Sequence, residues 1–308
     1  MIRNLVPLSP LATLIFLAVL FWGLSFAIQT FMHLGMNTSV WDLGLYDQVL
    51  WNTTKGDFLI TSIRGGVHLF AERFKPIFVL LSGIYLVQDS VYGLFAFTLL
   101  LHATSIFWTY AIAEHVLKHR MTSLLFALGV TLYLPYRNGI HFLFHSQMLA
   151  DPFILMGIWL SAVRRSRWAL IPFALAVMCK ESVILDILGV GLFLFFSRQK
   201  GGLSTLLLGI FSLILFVAYI EPHYAYAHPI MNKWSFYDPI IQGNVSAILQ
   251  NIFSFQTLKF LILITGPFLF TAFFAKKWWL LLGPSLLFRL LSSYGGFRLI
   301  TAHYTGGL

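Results

Sequence analysis

The chain has 308 residues, of which 58 % are hydrophobic, 17 % aromatic and only 10 % charged, with a formal net charge of +9. Soluble domains are about one-quarter charged, so this composition excludes a soluble enzyme; the apolar runs are continuous, which excludes a transmembrane barrel with alternating strands. The single cysteine, Cys179, excludes an internal disulfide and any thiolate metal site, and the basic excess fits orienting loops rather than nucleic-acid binding.

The expected fold is all-α, a polytopic integral membrane helical bundle of about 8–10 spans, since several runs reach the roughly 20 apolar residues that cross a bilayer. It forms a single membrane domain over residues 1–308. In chain order, the first run, 11–31, is too long for a signal-peptide core and reads as a retained helix. A first loop, 32–75, follows and contains "WDLGLYDQVLWN", residues 41–52. The stretch 76–87 is too short to cross and reads as an interfacial or re-entrant helix. Spans are then expected at 90–113, 121–136, 147–163, 168–182, 184–197 and 203–220. After a second large loop, 221–256, come spans 257–275 and 278–293 and the end "AHYTGGL". An early-ending relative and a native end on the outer side both account for that terminus.

Basic clusters set the orientation. Lys118 with Arg120, the run Arg164–Arg167, Arg198 with Lys200, and Lys276–Lys277 fall at alternate span ends. The positive-inside rule makes those ends and the N-terminus cytoplasmic, in the plasma membrane. Loops 32–75 and 221–256 then face outward, and most remaining charge goes with them. Chemistry is therefore expected on the outer face.

Four groupings carry candidate chemistry. Leu43, Tyr46, Val49 and Leu50 make an apolar stripe at helical spacing, suited to lying in the membrane interface with Asp42 at the helix start. Asp42 reads either as an N-cap or as a general base or cation ligand. Asp47 lies about 140° further around a regular helix. Lys180 and Glu181 close a short span, as a mutually neutralising pair or as an anion site. His141 and His145 are four apart, an interfacial pair or two metal ligands. Arg64, His68, Arg73 and Lys75 precede the re-entrant stretch, snorkelling to head groups or seating a lipid phosphate.

The ordered set "DLGLYDQVLWN", "GG", "HL", a proline before an apolar run, "FH", "CKES" and "HYT" resembles a domain-of-unknown-function family of prokaryotic membrane proteins. That family shows D-L-G-x-F-D-Q-x-x-W-N, H-F-S-P, F-H-P-(D/E), K-E-D and H-Y-S, and the match runs over 38–308. Three motifs depart: Arg73-Phe74-Lys75-Pro76 stands for H-F-S-P, Ser146-Gln147 follows the histidine, and Ser182 replaces the Asp of K-E-D. The family in turn looks like the GT-C class of membrane glycosyltransferases, which use polyprenyl-phosphate sugars. The resemblance implies Asp42 as catalytic or metal-binding carboxylate, with a divalent cation an option there, and Asp47 in support. It implies membrane lipid and a polyprenyl-phosphate-linked sugar as partners. Arg64, His68, Arg73, His145, Lys180, Glu181, Arg298 and His303 are then the substrate- and phosphate-binding candidates. A lipid or solute transporter, with charges spread through the depth of several spans, and an inactive scaffold are the competing readings.

Overall fold

The structure, a computed structural model, describes residues 9–38, 40–63, 65–142, 144–225, 237–266, 274 and 276–294; side chains are described for these except 40, 41 and 225. Arg64, Arg298 and His303 lie outside the described residues.

Helix α1, Pro10–Leu34, starts where Ser9 Oγ accepts the Ala12 N–H and Pro10 occupies the first turn. A wide π turn, Val40–Gly44, runs into α2, Leu45–Lys55. A two-stranded antiparallel ribbon pairs β1, Ile60–Thr61, with β2, Val67–His68, and leads into the short α3, Leu69–Glu72. Helix α4, Ile77–Val87, precedes α5, Val91–Leu117, which Ser90 caps.

Three helical hairpins follow in contact. These are α5 with α6, Arg120–Leu132; α8, Ala150–Ala162, with α9, Ser166–Val177; and α10, Val183–Phe196, with α11, Gly202–Leu215. Each turns at a basic cluster, where Lys118, Arg164 and Arg198 adopt positive φ of 53°, 63° and 54°. The left-handed conformation is what lets the chain reverse within a few residues. Between the first and second hairpins, α7, Leu134–His141, ends before a 3-10 turn, Ser146–Leu149. After α11, a π turn Phe216–Ile220 continues into α12, Glu221–Ala225. The described C-terminal part comprises α13, Asp238–Ile241; α14, Val245–Ile252; α15, Phe255–Thr265; and α16, Trp278–Leu291, which packs on α10.

Among the described residues three helical segments are long and apolar enough to cross a membrane: Pro10–Leu34, Val91–Leu117 and Gly202–Tyr224. The pair α14–α15, bent by 41°, makes up to four. The other expected spans divide differently. The stretch 121–136 breaks at Tyr133, since Pro135 has no N–H to give a continuing helix and instead starts α7. Helices of 12–14 residues such as α9 and α10 are roughly 18–21 Å long, short of the ~30 Å hydrocarbon core.

The first loop is a packed layer. Leu43, Tyr46, Val49 and Leu50 are all buried, joined in one core with Phe78 of α4, Leu94 of α5 and Phe173 of α9. The expectation that this stripe lies against lipid is corrected. The protein covers it, because α4 packs directly on α2. Tyr46, within that stripe, is 4 % exposed, whereas Trp51 of α2 remains 43 % exposed.

Candidate functional site

The site forms where helix ends leave backbone groups to satisfy. Beyond the end of α9, the carbonyl of Met178 accepts the Ile77 N–H at 3.0 Å and that of Cys179 accepts Ser146 Oγ at 2.7 Å. The first N–H groups of a helix have no partner inside it, so Ile77, at the start of α4, is free to look outward. These two bonds draw the start of α4, the segment 145–147 and the turn 178–182 together. The side chains beside them converge as a result.

Asp42 and His145 meet first. His145 Nε2 lies 3.2 Å from Asp42 Oδ1, with the His145 side chain 4 % exposed and that of Asp42 33 %. Burial drives His145 down to about 4, overriding the Asp42 carboxylate that pulls it up. The imidazole is therefore neutral at pH 7 and donates its Nε2–H to the carboxylate, whose side chain stays one-third exposed. Asp42 lies in the first turn of the π segment Val40–Gly44, which runs on into α2 at Leu45, so it does not stand before the helix as an N-cap would.

Next to this dyad, Tyr46 stands edge-on to the His145 ring at 5.9 Å and accepts a hydrogen bond from Lys75 Nζ. Lys75 is 2 % exposed, so its expected snorkelling is also corrected; α2, α4 and their loops roof it over. Lys180, also buried, donates to Gln147 Oε1 at 2.7 Å. Glu181 turns the other way, faces Arg73 at 3.8 Å and accepts the Phe74 N–H at 3.1 Å. Lys180 and Glu181, adjacent in sequence, thus serve different partners rather than forming only a local pair. Burial pushes Lys180 well below its ordinary value, with the nearby Arg73 and Lys75 adding to the fall and Glu181 opposing it.

The structure therefore gathers Asp42, Arg73, His145, Lys180 and Glu181. It also brings in Lys75, which sequence reasoning had grouped with Arg73, and adds Tyr46 and Gln147, which it did not place in a site. Gln147 stands in the "HSQ" departure, read as a lost acid; a neutral acceptor suits a buried amine, and that chemistry was the available signal. The other candidates sit elsewhere. Asp47 accepts the Tyr85 hydroxyl from α4. His68 receives the Phe70 N–H on Nδ1 and stacks on Tyr224 at 5.0 Å, holding the ribbon against α12. His141 and His145 do not share a helix face, because α7 ends at His141. Among the described residues no three His, Cys, Asp or Glu side chains are grouped to hold a metal ion. Asp42 and His145 already bond each other, so they are not a preformed pair of ligands.

The burial of Lys75 has a measurable consequence. Its amine is lowered from 10.5 to about 8 in the folded protein by desolvation, against the pull of Glu72 and Glu181. Between those two values the unfolded chain binds a proton that the folded chain does not, so stability rises with pH across that window. Thermal unfolding of detergent-purified protein should show a midpoint increasing from pH 8 towards 10. Lys75→Met should reduce that rise; an unchanged slope would mean Lys75 is not buried as an amine. The slope does not vanish, because Lys180 contributes with the same sign.

A family model described as predicted membrane protein (DUF2079) matches residues 32–306, and the chain belongs to that family. No curated protein and no solved structure matches it.

Proposed function

We propose that this member of the DUF2079 family is a membrane glycosyltransferase of GT-C type, moving a sugar from a polyprenyl-phosphate donor to an acceptor on the outer face. The observation that carries the reading is the Asp42–His145 dyad. It is a partly exposed carboxylate, oriented by a buried neutral imidazole, with the buried Lys75 and Lys180 and the Arg73–Glu181 pair close by. Asp42 takes the proton of the acceptor hydroxyl as that oxygen bonds the anomeric carbon. The carbon–oxygen bond to phosphate breaks, and its electron pair stays on the phosphate oxygen. Arg73 and Lys180 are the groups to offset that charge. A phosphate within a few ångströms returns the proton to Lys180, reversing the effect of desolvation.

The transporter reading draws on Asp186 and Arg289, both buried on α10 and α16. Asp186 accepts the Ser285 hydroxyl and Arg289 lies one turn beyond Ser285. Asp186 is in the first turn of α10, next to the Lys180 turn. The pair thus extends the same site instead of tracing a path through several spans, which favours the enzyme.

Orientation is part of the proposal, supported by the basic turns at Lys118, Arg164 and Arg198. Asp57 is exposed in the first loop and Cys179 is buried. Asp57→Cys in a Cys179→Ser background should react with an impermeant maleimide in intact cells; reaction only after lysis reverses the topology. The activity itself is tested by complementation. Removing the gene should accumulate a lipid-linked sugar or remove a surface glycan, and the wild-type chain should restore the pattern. No change in either pool removes the proposal.

A further inference from the structure

A groove of about 560 Å³ runs between α1 and α5, lined by none of the residues of the site described above, with the last turn of α4 at one end. Its walls are two of the membrane-crossing helices, so most of its length lies at hydrocarbon depth. On α5 it extends from Gly93 to Phe107, roughly 20 Å along the axis. Small residues, Ala18, Gly93, Ala96 and Ala103, make the space. The polar atoms of the walls are already engaged. Trp22 Nε1 donates to the Ala96 carbonyl at 2.9 Å, and the Thr104 hydroxyl donates to the Leu101 carbonyl at 2.6 Å. A long, narrow trough whose α1 and α5 walls leave no free donor suits a hydrocarbon chain and rejects a polar solute.

The α4 end differs in character. Gln88 packs against Gly93, where an added Cβ would come within 3.1 Å of its Oε1. Asp89 follows directly and accepts the Trp51 indole N–H at 3.2 Å. Lys55 Nζ stands 4.0 Å from the same carboxylate, and both side chains are about half exposed. An exposed pair of this kind holds weakly, so a ligand bearing both charges can insert between its members. Neither residue lines the groove, but Asp89 directly follows Gln88, which does, so one cation and one anion stand just beyond its α4 end and complement a phosphate and an ammonium on the same head group.

We propose that this groove holds one acyl chain of a zwitterionic glycerophospholipid, with the phosphate on Lys55 and the ammonium on Asp89. The site is independent of the transfer reaction. The test is lipid retention by the full chain purified in detergent, stripped, and offered dioleoyl phosphatidylethanolamine, dioleoyl phosphatidylglycerol or a polyprenyl phosphate, then read by native mass spectrometry. One phosphatidylethanolamine should be retained in preference to the other two. Val19 and Leu100 are 61 % and 57 % exposed on opposite walls, so Val19→Trp and Leu100→Trp, made separately, fill the trough without entering the core. Either should weaken retention about ten-fold, the loss from displacing roughly two methylenes of contact. The Lys55→Gln, Asp89→Asn double variant should retain all three lipids alike. Undiminished retention in a Trp variant with unchanged melting temperature overturns the groove. Equal or better retention of phosphatidylglycerol or polyprenyl phosphate by the wild type overturns the head-group assignment.

Discussion

Asp42→Asn is expected to lower sugar transfer about 10²–10⁴-fold, the usual cost of removing a general base, while protein abundance stays near wild type. The substitution discriminates because of what it preserves. Asn keeps the carbonyl oxygen that accepts His145 Nε2–H, so the 3.2 Å contact and the buried ring are retained. Only the negative charge and its proton affinity are lost. A purely structural Asp42 would tolerate that change at a cost of about 1 kcal/mol or less, the net value of an ordinary hydrogen bond. Asp42→Ala is the informative companion, since it also strips His145 of its acceptor and should lower the melting temperature as well as the activity. The complementation strain gives the readout, glycan signal normalised to protein in the membrane fraction. A normal signal from Asp42→Asn at normal abundance would leave the dyad a structural contact and withdraw the main support for the enzyme.

Lys180→Met should weaken donor binding more than it weakens folding. Met matches the length of the buried stem, and removing a desolvated amine releases the strain that already holds it well below its ordinary value. The folded state loses the 2.7 Å hydrogen bond from Lys180 to Gln147 Oε1, about 1–3 kcal/mol. The bound state loses a buried charge facing phosphate, about 2–5 kcal/mol, or roughly 30- to several-thousand-fold in affinity. Titrating a fluorescent polyprenyl phosphate into purified protein measures the second quantity, and thermal unfolding measures the first. Adding Gln147→Leu to Lys180→Met replaces both members of the hydrogen bond by apolar groups and should recover stability without recovering binding. Parallel loss of binding and stability in both variants would reduce Lys180 to a packing element.

Much of this was legible without coordinates, and the boundary between what was and was not has a physical origin. Membrane class follows from composition, because a chain with so little charge cannot cover a soluble surface. The hairpin turns follow from Lys118, Arg164 and Arg198, because clustered charge and chain reversal both belong at span ends. Asp42, Arg73, His145, Lys180 and Glu181 could be singled out because charge is scarce here and each one asks for a reason. What sequence could not supply is which surface an apolar stripe covers. Leu43, Tyr46, Val49 and Leu50 look the same whether they face lipid or protein, since a bilayer and a core reward the same residues. Only the packing of α2 on α4 decides for the core. That decision carries the others with it. It buries Lys75 and Tyr46 instead of floating them at the head groups, and it turns Asp47 to Tyr85 and Asp42 to His145. Pairings such as Lys180 with Gln147 and Glu181 with Arg73 join residues 33 and 108 positions apart. No local propensity encodes such contacts; they exist because the carbonyls of Met178 and Cys179 must find donors, and the donors the fold supplies lie on α4 and beside His145.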